Sequence, residues 1–346
     1  MRLILIGFGN VGRSFLSMIT EEKVANKFNS ELKTVAVLDR KGGAVDPNGL
    51  DLKELLSANA REGTVAATPK FGQFGLLPLS AIKEVEADIV LELTPTNPSN
   101  GEPAVSYIET AIRNGKNVVT TNKAPPALAM KRLQDLASLN KVHFGFSGTV
   151  GGGTPILEFV KQTREVDELL SLRAILNGTT NYILSRMYHD EISMKEALQE
   201  AQHHGYAERD PSLDINGTDS ALKLAIVANY ALERKISPAD IEIKGITDIS
   251  LDEVQKNKEK KKKVKLICSI GTEARVAPEP IKTTDPICVD GPLNSVQLRT
   301  KYAGEITMIG PGAGGYQTAT AILNDLLAIE RSTCYLRARA ITEYDQ

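Results

Sequence analysis

Apolar and polar positions alternate in blocks along residues 1–145. Strands are predicted for the blocks that are rich in Val, Ile or Leu and enclosed by turn residues: Arg2–Ile6, Thr34–Leu38, Asp88–Leu93, Asn117–Thr120 and Val142–Phe144. Helical periodicity predicts helices near residues 11–21, 51–59, 103–114 and 126–139. This alternation favours an α/β fold with a mostly parallel sheet and helices on both faces. Residues 61–75 have no clear period and predict a loop.

The pattern changes at residues 147–155, which are rich in glycine. Such a segment is typical of a hinge, or of a place where the backbone closely approaches another group. Beyond it, strands are predicted at Leu170–Leu176, Val264–Ile270 and Ala274–Pro278, and helices at 155–163, 179–188, 193–203, 217–232 and 237–240. The mixed order predicts a second α/β domain with a different, mixed sheet.

Residues 310–315 are again rich in glycine and open a predicted helix at about 316–330. We expect this helix to return to the first domain, so the predicted divisions are 1–146, 147–309 and 310–346. The basic run at residues 256–263 is interpreted as a solvated surface connection.

Composition narrows the class of protein. The chain has 346 residues, 42% hydrophobic and 24% charged, which is typical of an ordinary soluble globular protein. The net charge of −2 gives no general reason to bind nucleic acid or an anionic membrane. Three scattered cysteines favour a reducing cytoplasm, and four histidines show no metal-site spacing. No apolar run reaches the roughly 18 residues that a membrane-spanning helix needs.

A glycine-rich turn directly follows the first predicted strand. The turn comprises Gly7, Phe8, Gly9, Asn10, Val11 and Gly12. Glycines at this spacing allow a tight turn, close approach to a pyrophosphate, and close packing of helix on strand. The pattern predicts a Rossmann-type dinucleotide site, and an ordinary tight turn is the alternative.

The ends of two further strands are candidates for contact with the same cofactor. Asp39 suits a ribose 2′-hydroxyl, whereas Arg40 and Lys41 suit a 2′-phosphate, so NAD and NADP both stay open with a slight preference for NADP or dual use. Thr94 and Pro95 end another strand on the same expected edge, where Thr94 could contact the nicotinamide side or serve only as a turn residue.

Acidic residues and a lysine gather around one predicted helix. Asp219 and Lys223 are four residues apart and share a helix face, next to apolar neighbours. Glu208, Asp210 and Asp214 precede them, and such crowding requires a cation such as a substrate ammonium. The alternative is an exposed ion pair worth about 0.3–0.5 kcal/mol. If Lys223 and Lys123 converge, one ammonium lowers the pKa of the other and favours proton transfer.

Taken together, these motifs resemble homoserine dehydrogenases over nearly the whole chain. The similar segments are residues 7–12, 92–96, 118–125, 149–156, 176–184, 205–226 and 310–319. The resemblance implies NAD- or NADP-dependent reduction of L-aspartate 4-semialdehyde to L-homoserine by a homodimer that pairs through its middle domain.

The resemblance also implies roles for particular residues. Lys223 would donate a proton to the carbonyl oxygen, and Lys123 would bind near cofactor and substrate. Glu208, Asp214 and Asp219 would hold the substrate. Gly205 and Gly312 would touch the cofactor.

The sequence departs from the family at two points. Ser147 stands where the family often has a glutamate in a sodium site, although Val150, Gly152 and Thr154 could still offer carbonyl oxygens to the ion. The chain also stops near residue 346 without the regulatory extension of many members, so we expect no separate threonine-sensing domain.

Two alternative functions compete with this interpretation. The nearest is another amino-acid or small-aldehyde dehydrogenase on the same fold. Aspartate-semialdehyde dehydrogenase chemistry needs a nucleophilic cysteine, and none of Cys268, Cys288 and Cys334 lies in a suitable glycine-rich turn. A non-enzymatic dinucleotide sensor would have no use for the lysines and crowded acids.

Overall fold

The computed structural model describes the backbone of residues 1–344 and the side chains of residues 1–332. It divides into two compact units, one of residues 1–149 with 314–346 and one of residues 150–313. No helix within the described residues is long and apolar enough to cross a membrane.

The first unit contains a seven-stranded sheet. Its strands are β1 (Arg2–Ile6), β2 (Lys33–Asp39), β3 (Gly42–Val45), β4 (Gly72–Phe74), β5 (Ile89–Glu92), β6 (Asn117–Thr120) and β7 (Phe144–Gly145). Its order is β4-β3-β2-β1-β5-β6-β7, parallel from β2 through β7, with β3 and β4 added antiparallel at one edge. The predicted parallel α/β sheet is therefore confirmed.

Helices cover both faces of this sheet because its central strands are apolar on both sides. The helices between its strands are α1 (Asn10–Ile19), α2 (Glu22–Ala25), α3 (Leu52–Glu62), α4 (Pro78–Glu84), α5 (Ala104–Arg113) and α6 (Ala124–Leu139). Leu3 and Leu5 of β1 pack with Phe15 of α1 on one face, and Ile4 and Ile6 pack with α5 and α6 on the other.

The second unit contains a six-stranded mixed sheet. Its helices are α7 (Ile156–Val166), α8 (Gly178–Asp190), α9 (Met194–His203), α10 (Ser212–Ile215), α11 (Thr218–Ile226) and α12 (Leu251–Glu259). Its strands are β8 (Leu169–Ile175), β9 (Glu242–Ile243), β10 (Lys262–Ile270), β11 (Ala274–Lys282), β12 (Leu293–Thr300) and β13 (Glu305–Pro311). The order is β13-β12-β8-β10-β11-β9, antiparallel except for β11 with β9. Helices α8, α11 and α12 pack against β10.

The last helix, α13 (Gly315–Tyr344), belongs to the first unit. Ala319, Ile322 and Leu326 of α13 lie in the same apolar cluster as Phe15 of α1. The predicted return of the chain to the first sheet is thus present, and the helix is longer than its periodicity indicated.

Several predicted elements were wrong in detail. The predicted loop at residues 61–75 contains a 3-10 turn at Val65–Ala67 and strand β4. The predicted helix at 217–232 ends at Ile226 and continues as a π-helical turn, and residues 237–240 form only a 3-10 turn.

The basic run at residues 256–263 is not a solvated connection throughout. It ends α12 and begins β10, and Lys263 is buried. Strand β10 carries its side chains alternately to the two faces, so Lys263 and Lys265 point to the same side. On that side both lysines form ion pairs with Asp290.

Candidate active site

The glycine turn after β1 has the geometry of a phosphate cradle. Gly7 has a φ of +99°, and a Cβ there would lie 2.6 Å from the carbonyl oxygen of Leu93. A Cβ on Gly12 would lie 2.9 Å from the carbonyl oxygen of Gly7, whereas a Cβ on Gly9 would meet no atom within 4 Å. Gly7 and Gly12 are therefore needed for close packing of the backbone, whereas Gly9 leaves open space beside the backbone.

Helix α1 begins at Asn10, beside that open space, and no side chain caps its first turn. The first N–H groups of a helix have no partner within the helix, and the helix dipole favours an anion there. A pyrophosphate fits these requirements. The turn of residues 7–12, which includes Phe8 and Val11, is thus compatible with binding of the predicted dinucleotide.

Asp39 ends β2 and is engaged within the first unit. Its carboxylate accepts hydrogen bonds from the backbone N–H of Lys41 (2.8 Å) and Val65 (2.8 Å) and from the Thr64 hydroxyl (3.1 Å). These bonds fix the orientation of Asp39, while Arg40 and Lys41 are exposed. Both an acid and two cations are present at this strand end, so the choice between NAD and NADP stays open.

The ends of β5 and β6 are joined by Glu92, a residue that the sequence analysis missed. Its fully buried carboxyl group accepts from the Thr94 N–H (2.9 Å), the Thr94 hydroxyl and the Thr120 hydroxyl (2.8 Å). Burial raises the pKa of Glu92 against the opposing effect of these hydrogen bonds. An acidic residue inside an otherwise apolar strand was the signal that could have identified it.

Asn122 connects this carboxyl network to Lys123. Its side-chain amide donates to the carbonyl oxygen of Pro95 (3.2 Å) and to the Thr94 hydroxyl (3.4 Å). The backbone N–H of Lys123 lies 3.4 Å from the Thr96 hydroxyl, and Lys123 directly precedes α6. Thr94, Pro95 and Lys123 are therefore brought to one edge of the first sheet, as parallel topology requires.

Lys223 and Asp219 form a buried ion pair in the second unit. Lys223 Nζ lies 2.7 Å from Asp219 Oδ2 and donates to the carbonyl oxygen of Leu176 at 2.7 Å. Only 8% of the Lys223 side chain and 12% of the Asp219 side chain are exposed. The alternative of an exposed surface pair is therefore wrong.

Asn177 links two of the predicted acids. Its amide nitrogen donates to Asp214 Oδ1 (2.6 Å) and to Asp219 Oδ2 (2.9 Å). Lys223, Asp219 and Asp214 thus form one group, for which we use the name acid–lysine cluster. Glu208 is not joined to it, because its side chain is exposed and has no hydrogen-bond partner among the described residues.

Lys123 belongs to the first unit and Lys223 to the second. The convergence of their two ammonium groups stays a prediction.

The two predicted cofactor glycines of the second unit differ in their surroundings. Gly205 has a φ of +75°, is exposed, and has open space where a Cβ would lie. A Cβ on Gly312 would lie 2.1 Å from the side chain of Asn294. Asn294 is buried, and its amide oxygen and nitrogen have no hydrogen-bond partner in the described part of the chain. Gly312 therefore permits a backbone approach that no other residue allows.

The predicted sodium site has serine, not glutamate, at residue 147. Ser147 donates its hydroxyl to Asp325 Oδ1 (2.6 Å), and the Thr154 hydroxyl donates to the carbonyl oxygen of Pro311 (3.1 Å). Val150 is fully buried and Gly152 has a φ of +55°. No cluster of three or more His, Cys, Asp or Glu side chains that could hold a metal occurs among the described residues.

A doubly wound sheet with a phosphate cradle, followed by a buried lysine–carboxylate pair, defines a nicotinamide-dinucleotide-dependent oxidoreductase. A family profile described as homoserine dehydrogenase matches residues 155–327, and a curated homoserine dehydrogenase of Methanocaldococcus jannaschii is 38% identical over 336 residues, covering 96% of this chain and 99% of that protein. The chain belongs to the homoserine dehydrogenase family.

Other comparisons agree with this assignment. Residues 1–136 match a profile described as glutamate/leucine/phenylalanine/valine dehydrogenase. An NAD(+)-dependent homoserine dehydrogenase of Pseudomonas canavaninivorans is 36% identical, covering 96% of each chain. The crystal structure of a putative homoserine dehydrogenase from Archaeoglobus fulgidus has a TM-score of 0.86 and 33% identity, covering 95% of this chain and 99% of that one. A hyperthermophilic archaeal homoserine dehydrogenase in complex with NADPH has a TM-score of 0.82 and 26% identity, covering 96% of this chain and 98% of that one.

Proposed function

We propose that the chain interconverts L-aspartate 4-semialdehyde and L-homoserine with NAD or NADP. Family membership, the NAD(+)-dependent relative and the NADPH complex of another relative support this proposal. The observation that carries it within the chain is the buried pair of Lys223 and Asp219, tied to Asp214 through Asn177. A buried ammonium that keeps a fixed orientation is suited to proton transfer.

Lys223 is the proton donor in the proposed reduction. Two acceptors, Asp219 and the carbonyl oxygen of Leu176, orient its ammonium group, and an ammonium has three N–H donors. The remaining N–H is directed to the aldehyde oxygen. A bound NADH or NADPH would supply the hydride that the carbonyl carbon needs. Lys223 would give its proton to the carbonyl oxygen, which yields the alcohol and leaves a neutral lysine. In the reverse direction neutral Lys223 accepts that proton.

The acids of the second unit hold the substrate. Asp214 and Asp219 attract the substrate ammonium, and exposed Glu208 completes its binding when the substrate arrives. Lys123 lies at the edge where the dinucleotide is expected and would bind the substrate from the cofactor side. The contact of Lys123 with the substrate stays a prediction.

The dinucleotide would lie along the carboxyl edge of the first sheet. The turn from Gly7 to Gly12 would hold the pyrophosphate, Asp39 with Arg40 and Lys41 the adenosine ribose, and Thr94 with Pro95 the nicotinamide side. Contact of Gly205 and Gly312 with the cofactor stays a prediction. We further propose a cytoplasmic homodimer. A sodium ion at Val150, Gly152 and Thr154 stays a prediction, and no step uses it.

Initial rates test the function directly. L-homoserine and L-aspartate 4-semialdehyde are each measured against NAD(H) and NADP(H), with and without inorganic phosphate. We expect phosphate-independent turnover in both directions and a preference for one cofactor. Turnover of another amino alcohol or aldehyde without turnover of homoserine would replace this proposal by the nearest alternative, a different dehydrogenase on the same fold.

A further inference from the structure

Asn177 occupies the connection between β8 and α8, and its side chain uses every hydrogen-bonding group it has. The amide oxygen accepts from the backbone N–H of Thr180 at 2.8 Å and so caps α8. The amide nitrogen donates one bond to Asp214 and one to Asp219. Asn177 is only 3% exposed, and its bonds to Thr180 and Asp219 are buried, whereas its bond to Asp214 is partly buried.

The chemistry of this position requires a primary amide. A helix cap needs an acceptor, and two carboxylates need two donors on one atom. Aspartate would cap the helix but would add a third negative charge and no donor. Serine would also cap the helix, but its single hydroxyl cannot donate to both acids.

Leu176, the residue before Asn177, contacts Lys223. The carbonyl oxygen of Leu176 accepts from Lys223 Nζ, while Lys223 also pairs with Asp219 Oδ2, the same oxygen that Asn177 contacts. Leu176 and Asn177 are consecutive in the connection between β8 and α8. Leu176 therefore orients the lysine of the acid–lysine cluster, and Asn177 orients its two acids.

We propose that Asn177 is a positioning residue for the reaction, which sets the spacing and the ionised state of Asp214 and Asp219 beside Lys223. Hydrogen bonds donated to a carboxylate favour its charged form, which is the form that binds a substrate ammonium. This inference rests on the proposed function, since it assigns Asn177 to the same substrate site.

The titratable groups around Asn177 come from three elements. Asp214 lies on α10, Asp219 and Lys223 lie on α11, and Cys268 lies on β10 with its thiol near the Ser220 carbonyl oxygen. Burial raises the pKa of Cys268 to about 12, so it stays a neutral thiol across the working range. The groups of the acid–lysine cluster, Asp214, Asp219 and Lys223, are the other charged groups in direct contact along this network.

Two variants, Asn177→Ser and Asn177→Asp, keep a capping acceptor but cannot donate to both acids. We expect kcat/KM for L-homoserine to fall about 100-fold in both, the loss typical of a reacting group displaced by about 1 Å, with a raised KM and largely retained cofactor affinity. The acidic limb of the pH–kcat/KM profile moves to higher pH because the acids then hold protons longer, and it moves further in Asn177→Asp.

The matched control is Ser250→Ala. Ser250 caps α12 in the same unit by accepting from the Glu253 N–H, so its loss removes a cap and leaves the acid–lysine cluster intact. We expect a lower melting temperature and unchanged kcat/KM. Cofactor affinity is measured by fluorescence titration without substrate.

The outcomes separate this inference from the function itself. A wild-type chain that does not oxidise homoserine refutes the proposed function. An active wild type together with unchanged kcat/KM and pH profile in Asn177→Ser refutes the role of Asn177. If Asn177→Ser fails to fold, Asn177→Asp, which is nearly equal in volume, decides the question by the same measurements.

Discussion

Glu92 in the first unit and Asp290 in the second both hold several hydrogen bonds, but their partners differ in charge. Glu92 is fully buried and accepts from threonine hydroxyls and a backbone N–H. Asp290 is 40% exposed in its side chain and binds Lys263, Lys265 and His189.

The pKa values respond in opposite directions. Burial raises the pKa of Glu92, and its neutral partners do not reverse this effect. Burial also acts to raise the pKa of Asp290, but the hydrogen bonds and positive charges of the two lysines hold it well below its usual range. The predicted cofactor edge of the first unit is thus fixed by neutral groups and backbone, whereas the second unit depends on balanced charges. Removing one hydrogen-bonding partner should therefore lower the stability of the second unit more than that of the first.

The largest effect is expected from Lys223→Met, which removes the proposed proton donor. General acid catalysis contributes about 10²–10⁴-fold, so we expect kcat to fall about 10³-fold while cofactor affinity is largely kept. Stopped-flow and steady-state assays measure the loss. Lys256→Met, on the exposed face of α12, serves as the control and should keep full activity. Equal kcat in the two variants would exclude Lys223 from proton transfer.

Asp290→Asn should strongly destabilise the second unit. It leaves Lys265, which is 0% exposed, without its anionic partner. We expect a loss of about 3 kcal/mol in the free energy of unfolding, near the lower end for a broken buried pair because Asp290 is partly exposed. Urea denaturation measures this value.

Two comparisons sharpen the result. Glu191→Gln breaks the more exposed pair with Lys258 and should cost less than about 1 kcal/mol. Adding Lys265→Met to Asp290→Asn removes the more deeply buried of the two lysine charges that lose Asp290, and it should restore part of the lost stability. A double variant no more stable than Asp290→Asn would contradict the charge argument.

Gly7→Ala and Gly9→Ala should separate folding from binding in the first unit. Gly7→Ala places a Cβ against Leu93 at positive φ and should cost about 1–3 kcal/mol of stability. Gly9→Ala meets open space, so we expect an unchanged melting temperature and a cofactor Kd raised roughly tenfold, or about 1.4 kcal/mol. Thermal denaturation and cofactor titration of both variants check this. A cofactor affinity unchanged in Gly9→Ala would argue against a pyrophosphate at this turn.

Glu92→Gln should have the smallest effect, visible in the pH dependence of stability. Because the folded-state pKa of Glu92 is raised, its contribution is complete below the usual value of 4.5 and is lost as pH rises through the folded pKa. Glutamine mimics the protonated form, so the variant should gain stability relative to wild type as pH rises from 4.5 to 8. Melting temperatures across that range test the sign. A relative gain on acidification instead would mean that Glu92 is held as a carboxylate.

The elements and motifs that depend on neighbouring residues were predictable. β1, β2, β5 and β6 are continuous apolar runs, which is what strands buried on both faces require. The glycine turn was recognised because its glycines stand next to a strand and a helix. Asp219 and Lys223 were paired correctly because four residues on one helix face determine their proximity.

The groups that depend on distant residues escaped prediction. β12 and β13 were missed. β12 pairs with β8, which joins residues more than 100 positions apart, and β13 pairs with β12. Lys263 was interpreted as solvated because its ion-pair partner, Asp290, is distant in the sequence and no local pattern indicates the pairing. Asn177 was not singled out in the sequence, because its bonds to Asp214 and Asp219 join segments about 40 residues apart that only the folded chain brings together.

By itself the sequence determined the two kinds of sheet, the glycine-rich turn, the lysine–carboxylate spacing and the family, because periodicity, glycine geometry and short spacings are local properties. The tertiary structure alone decided which polar groups lost their water and which partners compensated them. Burial and hydrogen bonding between distant segments set the state of Glu92, the pairing of Lys265 and the place of Asn177. Desolvation is a property of the packed chain, since it depends on every segment that excludes water from a site.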